Sequence, residues 1–394
     1  MIPDYYEFFS TVKIVSGKKA LENLPYELDQ MNAHRPLLIT DKGVSGAGLL
    51  QQVVDTFADS LVVAGAVFDE VPQDSSNLVV NRVAEIYRQA GCDSIVAIGG
   101  GSVIDTSKGV NIVITENSDD LLKFSGAEML KKPLKPFIVI PTTAGTGSEV
   151  TCVAVISDPE RHLKMSFTSN VLFPRVAILD PRMTLTLPPL FTAATGMDAL
   201  THAVEAFISL QKNPLSDAYA VKAIEIIAGT LPSVVKNGND RESRLALANA
   251  STMAGIAFSN AMVGVVHNLG HATGGVCRVP HGIAMSIFLP FGLEYNLPKA
   301  ASQIGELLLP LAGSEVFSST LESERPAKVI SAIRQLKDTL YDLCRLPRTL
   351  EEAGVARDRL PEIAHTAMND GASTYNVIEV DYDDALKLLE KAYN

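Results

Sequence analysis

The amino-acid sequence predicts a chain of two parts, an α/β domain over residues 1–184 and an all-helical domain over residues 185–394. In the first part, short β-branched apolar runs alternate with helical stretches, which is typical of parallel βαβ units. After Pro188 and Pro189 the spacing of apolar residues changes to the 3.6-residue period of amphipathic helices. The length of 394 residues is also that of two or three domains.

The strands of the α/β part are predicted from apolar runs bounded by turn-forming residues. Those expected in a parallel sheet are PLLITD at 36–41, LVVAGAVFD at 61–69, SIVAIGG at 94–100, FIVIPTT at 137–143 and RVAILDP at 175–181. Two further runs, CVAVISD at 152–158 and HLKMSF at 162–167, flank the polar turn PER and predict a β-hairpin.

The helical part is typified by the segment AKVISAIRQLKDTLYDLCRL. Its predicted apolar stripe contains Val329, Ile330, Ile333, Leu336, Leu340 and Leu343. Because clefts at domain borders often hold small molecules, we expect a small-molecule site near the border at residues 180–190.

The composition argues against several classes of partner. The net charge is −12 and there is no run of lysine or arginine, so we expect no nucleic-acid partner. The longest apolar run, LVVAGAVF at 61–68, is far short of the ~18 residues of a membrane span. The start MIPDYYEFFS lacks signal-peptide features, which favours the cytoplasm and no membrane partner. Four cysteines without a C-x-x-C pair argue against a disulfide framework.

The run SIVAIGGGSVIDTSKG predicts a phosphate-binding turn. Gly99, Gly100 and Gly101 follow a buried strand, and Ser102 and Asp105 have capping-box spacing before a helix. Glycines there let the backbone approach a pyrophosphate, which the free N–H groups and the helix dipole would hold. The alternative interpretation is an ordinary capped strand-to-helix turn.

Two further features of the α/β part are consistent with a nucleotide site. Asp41 ends the run LLITD, where a carboxylate could accept hydrogen bonds from a ribose 2′-OH and repel a 2′-phosphate, so it favours NAD over NADP. Taken alone, Asp41 is more readily explained as a turn or cap residue before Lys42 and Gly43. The loop PTTAGTGSE at 141–149 follows another predicted strand, so we expect it beside the glycine loop at one edge of the sheet.

The helical part contains a candidate metal constellation. Asp198 and His202 stand four residues apart on a predicted helix, and so do His267 and His271. The glycines at 274–275 and the proline at 280 are expected to end the second helix before His281. A carboxylate with imidazoles suits iron(II) or zinc and leaves a position open for substrate. The alternative for Asp198 and His202 alone is a solvated contact, and the spacing does not say which histidine is spare.

Together these motifs resemble the iron-containing (group III) alcohol dehydrogenases. GGGSVIDTSKG, PTTAGTGSE, AATGMDALTHAVEAF and HNLGHATGGVCRVPHG follow one another in the order typical of that family, and the similarity covers nearly the whole chain. The resemblance implies the dehydroquinate synthase-like fold, NAD and Fe²⁺ (or Zn²⁺) as cofactors, and a homodimer or larger homo-oligomer.

The resemblance also implies roles for individual residues. The metal ligands it implies are Asp198, His202, His267 and His281, and His271 becomes a proton relay near the substrate. The cofactor contacts it implies are Asp41, Gly99, Gly100, Gly101, Ser102, Thr142, Thr143 and Lys164. Phe258 and Val153 are expected to line the substrate pocket, with core packing as the alternative for both.

The chain departs from the family pattern at two places. Ala272 and Thr273 stand where many members have proline, and Cys277 and Arg278 precede the last histidine. Gln73, followed by Asp74, stands where others carry asparagine. These departures bear on substrate preference.

The reaction that the resemblance implies is hydride transfer between NAD(H) and a small primary alcohol or aldehyde. Alternatives on the same fold are a zinc-dependent polyol or hydroxy-acid dehydrogenase and a hydroxyacid–oxoacid transhydrogenase. A sugar-phosphate lyase would need basic residues near the ligands, where only Arg278 occurs. A non-enzymatic nucleotide-binding protein with a structural metal would more often have closed, thiolate coordination.

Overall fold

The computed structural model describes residues 3–73, 75–161 and 163–394, which separate into two units. One unit is Ser10–Thr186, and the other is Leu187–Asn394 together with residues 3–9. The N-terminal residues belong with the helical unit because the Phe9 N–H donates to Asn260 Oδ1 at 2.6 Å and Phe9 O accepts from Asn260 Nδ2 at 3.2 Å. Asp74 and His162, which the sequence interpretation used, lie outside the described residues.

The first unit contains all the strands that the described residues form. They are β1 (Lys13–Ser16), β2 (Pro36–Ile39), β3 (Ala66–Phe68), β4 (Ser94–Gly99), β5 (Gly126–Ala127), β6 (Phe137–Pro141), β7 (Val153–Asp158), β8 (Leu163–Thr168) and β9 (Val176–Leu179). Six of them form a parallel sheet in the order β1-β9-β6-β4-β2-β3. A second sheet has the order β5-β8-β7, in which β7 and β8 are the predicted antiparallel hairpin.

The parallel sheet is buried on both faces. Alternate residues of one strand enter different clusters: Leu37 and Ile39 of β2 pack with one core cluster, whereas Leu38 packs with the other. Burial on both sides explains why these strands read as continuous apolar runs without alternation. The same property made β2, β4, β6 and β9 predictable from the sequence.

Two strands and one boundary were not predicted correctly. β1 is a short strand at the edge of the sheet with three exposed residues, and β5 has two residues, so neither produces an apolar run. The predicted strand at 61–69 is also too long, because only Ala66–Phe68 pairs with β2. Leu61 and Val63 are 82% and 62% exposed, although their side chains are apolar.

Helices occupy both units. The helices of the first unit are α1 (Leu24–Gln30), α2 (Lys42–Gly46), α3 (Leu49–Asp55), α4 (Asn77–Gln89) and α5 (Gly101–Glu116). Those of the second unit are α6 (Pro189–Ile208), α7 (Pro214–Lys236), α8 (Arg241–Ala261), α9 (Val265–Cys277), α10 (His281–Glu306), α11 (Leu308–Ser319), α12 (Arg325–Cys344), α13 (Leu360–Ala367) and α14 (Tyr382–Lys391).

Helix α6 is the centre of the helical unit. It packs against α7, α8, α10 and α12, and nearly every residue from Thr192 to Ile208 is buried. A helix that is surrounded in this way must be apolar or hydrogen-bonded on all sides. Polar residues on α6 therefore need partners within the protein or a bound ligand.

One described helix, α7 (Pro214–Lys236), is long and apolar enough to cross a membrane by length and composition alone. Its buried residues, such as Ile224, Ile227 and Leu231, belong to the core, and α7 packs against α6 and α8. These contacts bury one face of α7 within the helical unit.

The buried stripe of α12 differs from the predicted one at its end. Val329, Ile330, Ile333 and Leu340 are buried, but Leu343 is 38% exposed. Lys337 is buried instead. Its Nζ donates to Ile287 O at 3.2 Å and to Arg348 O at 3.1 Å, and burial lowers the pKa of Lys337 to about 7.

We expect Lys337→Met to change the pH dependence of stability. The lysine pKa is lower in the folded protein than in the unfolded chain, where it is about 10.4, so between about pH 7 and 10 the unfolded chain binds the extra proton. The free energy of unfolding of the wild type should therefore rise with pH across this window relative to that of K337M. Urea unfolding at several pH values measures it, with Lys328→Met at an exposed position of α12 as the control. Parallel pH profiles for wild type and K337M would contradict the assignment.

Candidate metal centre and nucleotide loops

Four predicted metal ligands converge in the helical unit. Asp198 and His202 lie one turn apart on α6, His267 lies in the first turn of α9, and His281 begins α10. One ligand atom from each lies within 4.8 Å of the others. Asp198 Oδ1 is 3.2 Å from His281 Nε2, 3.8 Å from His202 Nδ1 and 3.9 Å from His267 Nε2.

The chemistry of this group fits a divalent metal ion. Asp198, His202 and His267 are each at most 5% exposed. Asp198 Oδ1, His202 Nδ1 and His267 Nε2 are buried and have no hydrogen-bond partner among the described residues. Buried polar atoms without partners are costly, and here they point at one another. A carboxylate oxygen and imidazole nitrogens in this arrangement suit iron(II) or zinc.

Burial sets the charges of these side chains. It lowers the pKa of His202 to about 3 and the pKa of His267 well below its ordinary value. Burial alone would raise the pKa of Asp198, but His281 and His202 hold it below its ordinary range. At neutral pH His202 and His267 are therefore neutral and Asp198 is ionised, which are the protonation states that bind metal.

Glu205 is a site residue that the sequence analysis missed. It lies on α6, is 2% exposed, and its Oε2 is 2.5 Å from His267 Nδ1. Its Oε1 accepts from the Val266 N–H at 2.7 Å. With the Nδ1 hydrogen held by the carboxylate, Nε2 of His267 carries the lone pair that faces Asp198. The signal was present in the motif THAVE, where a glutamate follows His202 by three residues.

His271 lies beside the four residues but belongs to a different contact. Its ring centroid is 5.7 Å from that of His267 and 5.3 Å from that of His281. Its Nδ1 is 2.8 Å from Asp370 Oδ2. Asp370 was also missed by the sequence analysis, because it is 99 residues away along the chain in a polar turn without a recognisable motif.

α9 ends before His281 as predicted, but at a later residue than expected, and the solvated alternative for Asp198 and His202 does not hold. α9 continues through Gly274 and Gly275 to Cys277, because glycine weakens a helix without ending it. The turn comes at Arg278, which has a left-handed conformation with φ of 59°. Asp198 and His202 are not a solvated pair either, since α6 is buried on all sides.

The predicted substrate-pocket residues lie in different units. Phe258 of α8 is half-buried, and its ring stacks on that of His202 at a centroid distance of 4.2 Å. Val153 begins β7 and is half-buried. Its carbonyl accepts a hydrogen bond from Lys108 Nζ at 2.8 Å.

The two predicted nucleotide loops lie side by side, as expected. Gly99 of β4 pairs with Pro141 of β6, and the Thr142 N–H donates to Gly99 O at 3.1 Å. A Cβ atom on Gly100 or Gly101 would lie within 3.0–3.3 Å of the side chains of Thr143 and Thr146, respectively. The glycines therefore allow the two loops to pack closely at the carboxyl ends of adjacent strands.

The start of α5 differs from the predicted capping box. The helix begins at Gly101 without a side-chain cap. Ser102 Oγ donates to Gln73 O, and Asp105 Oδ2 accepts from the Val155 N–H at 3.1 Å. Burial raises the pKa of Asp105 to about 6. The first-turn N–H groups of α5 are thus left without a side-chain cap, as an anion site requires.

Lys108, which the sequence analysis did not single out, holds the second loop in place. It is fully buried on α5, and its Nζ donates to Ser148 O at 2.9 Å, Thr151 O at 2.9 Å and Val153 O at 2.8 Å. Burial lowers the pKa of Lys108. One side chain therefore links the helix after the glycine loop to the chain that follows PTTAGTG.

The remaining predicted cofactor residues are in ordinary structural positions. Asp41 caps α2, with its Oδ1 accepting from the Val44 N–H at 2.9 Å. Thr142 is buried and Thr143 is half-buried. Lys164 is exposed on β8.

Comparisons with known proteins cover both units. Residues 11–181 match the family model described as iron-containing alcohol dehydrogenase, and residues 192–393 match the C-terminal model of the Fe-containing alcohol dehydrogenase family. The NAD-dependent methanol dehydrogenase of Bacillus methanolicus is 32% identical over 385 residues, which are 98% of this chain and 99% of that one. The 1,3-propanediol dehydrogenase of Klebsiella pneumoniae is 36% identical over 384 residues, with 96% of each chain covered.

Solved structures give the same result. A crystal structure of 1,3-propanediol oxidoreductase superposes with a TM-score of 0.94 and 32% sequence identity. The match covers 99% of this chain and 100% of that one. The arrangement of elements in both units therefore occurs in an experimentally determined protein.

We expect Glu205→Gln to weaken metal binding. A glutamine places an amino group against either the Val266 N–H or the His267 Nδ1–H, so one hydrogen bond becomes a repulsive contact between donors. Loss of a hydrogen bond that orients a metal ligand lowers the metal affinity about 10- to 100-fold. Competition with a chromophoric chelator measures the zinc dissociation constant, and Glu225→Gln, an exposed change on α7, is the control. Equal affinity in E205Q and E225Q would refute the role.

We expect Met262→Gly to stabilise the helical unit. Met262, between α8 and α9, has φ of 65° and ψ of −177°, a region occupied almost only by glycine at a cost of about 1–3 kcal/mol to other residues. Allowing for the greater entropy of glycine in the unfolded chain, the free energy of unfolding should rise by about 1 kcal/mol. Urea denaturation measures it. The control is the neighbouring Val263→Gly, which should lower the free energy of unfolding. An equal decrease in M262G would show that Met262 is not in a strained conformation.

Proposed function

Because the chain belongs to the iron-containing alcohol dehydrogenase family, we propose that it is a metal-dependent oxidoreductase that transfers a hydride between NAD(H) and a small primary alcohol or its aldehyde. The observation that carries the proposal is the convergence of Asp198, His202, His267 and His281, with three buried ligand atoms lacking partners. The similarity to dehydrogenases of methanol and of 1,3-propanediol supports a small alcohol.

The proposed metal ligands are Asp198, His202, His267 and His281. A divalent ion held there supplies Lewis-acid chemistry, which favours the alkoxide form of an alcohol and polarises an aldehyde carbonyl. Asp198 contributes the one negative charge of the set, so a dication would keep a net positive charge toward the substrate. Glu205 holds the His267 ring in the binding orientation. Phe258 packs on the His202 ring and presents an apolar surface beside the ligands.

The proposed NAD site is formed by the two adjacent loops. The N–H groups at the start of α5, with Gly99, Gly100, Gly101 and Ser102, would bind the pyrophosphate. Thr142, Thr143 and Lys164 are the further cofactor contacts. Asp41 uses one carboxylate oxygen to cap α2, and its charge would disfavour the 2′-phosphate of NADP. Val153 and Phe258 are the proposed substrate contacts, one from each unit.

The proposed proton carrier is His271. Oxidation of an alcohol releases the hydroxyl proton as well as the hydride, and a partly exposed imidazole can accept that proton and pass it to water. The His271 side chain is 42% exposed, whereas His202 of α6 and His267 of α9 are buried. His281 is similarly exposed, at 40%, but it is a proposed metal ligand, so His271 is the exposed ring of these four that is left to pass a proton to solvent.

We further propose iron(II) as the metal in vivo, a homodimer or larger homo-oligomer, and a cytoplasmic location. Iron is favoured over zinc by the family, and the ligand set accommodates either ion. Neither nucleic acid nor a membrane is a proposed partner, because the net charge is −12 and one apolar face of α7 packs on α6 and α8.

The proposed function is tested by reconstituting the metal-free protein anaerobically with iron(II) or zinc and following NADH absorbance. A panel of primary alcohols and aldehydes, with polyols and hydroxy acids included, should give turnover that is greatest with a small primary alcohol or aldehyde and NAD(H). Turnover confined to hydroxy acids would show that the proposed substrate class is wrong. No turnover with any member of the panel would refute the proposed enzymatic activity.

We expect His267→Ala to remove metal binding and turnover together while NAD still binds. The variant deletes one of three buried ligands, and the proposed pyrophosphate site lies on residues of the other unit. Metal content by elemental analysis, turnover, and NAD affinity by calorimetry are the three measurements, with exposed His365→Ala as the control. Full activity in a metal-free H267A protein would contradict the proposed mechanism.

A further inference from the structure

Asp370 is held in a fixed position beside His271. It caps the short 3₁₀ helix Gly371–Tyr375, with its Oδ1 accepting from the Ala372 N–H at 2.8 Å. Its backbone is tied to α9, since Asn268 Nδ2 donates to Ala367 O at 2.7 Å and reaches Asp370 O at 3.4 Å. The second carboxylate oxygen, Oδ2, is thereby left for His271 Nδ1 at 2.8 Å.

This contact determines which nitrogen of His271 carries the hydrogen. Burial would raise the pKa of Asp370, but the hydrogen bonds from His271 and the Ala372 N–H lower it, so the carboxyl group is ionised at neutral pH. An ionised carboxylate only accepts hydrogen bonds. The hydrogen of a neutral His271 ring therefore lies on Nδ1, and the lone pair lies on Nε2.

We propose that Asp370 is a positioning residue for proton transfer: it orients the His271 ring and fixes the tautomer in which Nε2 accepts the proton released by the alcohol. The inference rests on the proposed function and extends it to a residue of another element. In alcohol oxidation the C–H bond breaks and its electron pair leaves as hydride to NAD⁺. The O–H bond breaks, its electrons form the C=O bond, and the proton passes to Nε2 of His271. The products are an aldehyde, NADH and one proton.

The variant Asp370→Asn separates this role from the capping role. Asparagine is a good cap, so its Oδ1 keeps the Ala372 N–H. Its amino group then faces His271 Nδ1 and can only donate, which places the imidazole hydrogen on Nε2. D370N therefore preserves the turn and inverts the tautomer. Asp370→Ser is a second variant that retains a capping oxygen and removes the group facing His271.

The tautomer is read directly by NMR of the zinc-loaded protein with ¹⁵N-labelled histidine. At about pH 9, well above the ordinary histidine pKa of about 6.5, protonated and unprotonated ring nitrogens differ widely in ¹⁵N chemical shift. Seven histidines are present, and His271→Gln identifies the signals of His271. The wild type should show hydrogen on Nδ1, D370N on Nε2, and D370S a mixture.

The kinetic readout is the rate of NADH formation in a single turnover with a primary alcohol. D370N should lose about 10²-fold, at the low end of the contribution of general acid–base catalysis, while the alcohol KM and the metal content stay unchanged. Asp381→Asn is the matched control: Asp381 caps α14 through the Asp384 N–H, so D381N loses the same charge at a helix cap and should keep the wild-type rate.

The outcomes distinguish this inference from the proposed function. Hydrogen on Nδ1 in D370N, a D370N rate within about twofold of the wild type, or equal losses in D370N and D381N would each overturn the role of Asp370. An inactive wild type would overturn the proposed function and the relay, whereas the tautomer measurement needs no substrate. It therefore still tests whether Asp370 positions the His271 ring.

Discussion

The helical unit depends on placing one carboxylate and two imidazoles in a site that almost no water reaches. Asp198, His202 and His267 are at most 5% exposed, and the three atoms that face one another lack hydrogen-bond partners among the described residues. Such an arrangement is unfavourable by itself. A bound divalent ion would supply the missing partner. Metal binding would therefore offset part of the free-energy cost of burying these unpartnered atoms.

The surroundings of the site support its ligands by hydrogen bonds and by small residues. Glu205 binds both the His267 ring and the backbone at the start of α9. At Gly264 a Cβ atom would lie 2.6 Å from Asn376 Oδ1 and 3.1 Å from Glu205 Oε1, so only glycine fits there. Asn376 in turn exchanges hydrogen bonds with Asn296 of α10. The ligand helices are thus joined by buried polar contacts.

In the α/β unit, buried polar groups are likewise held together by hydrogen bonds, here from a buried lysine. Lys108 satisfies one backbone carbonyl of the second loop and two of the chain that follows it, and close packing at Gly100 and Gly101 places that loop against the start of α5. The sequence predicted both loops, because glycines after apolar runs are a local signal. The role of Lys108 was not predictable, since a lysine within a helical pattern is usually solvated.

The sequence by itself determined the parallel strands, the change to helical periodicity near residue 188, and the aspartate and histidines among which the proposed metal ligands lie, because these features depend on apolar patterning and on side-chain chemistry at fixed spacing. It did not determine the edge strand β1, the buried Lys337, the continuation of α9 past Gly275, or the partners Glu205 and Asp370. Those follow from contacts between residues far apart along the chain, such as Lys13 with Val176 and His271 with Asp370. Only tertiary packing decides which polar atoms lose water, and therefore which carboxylate must hold which histidine.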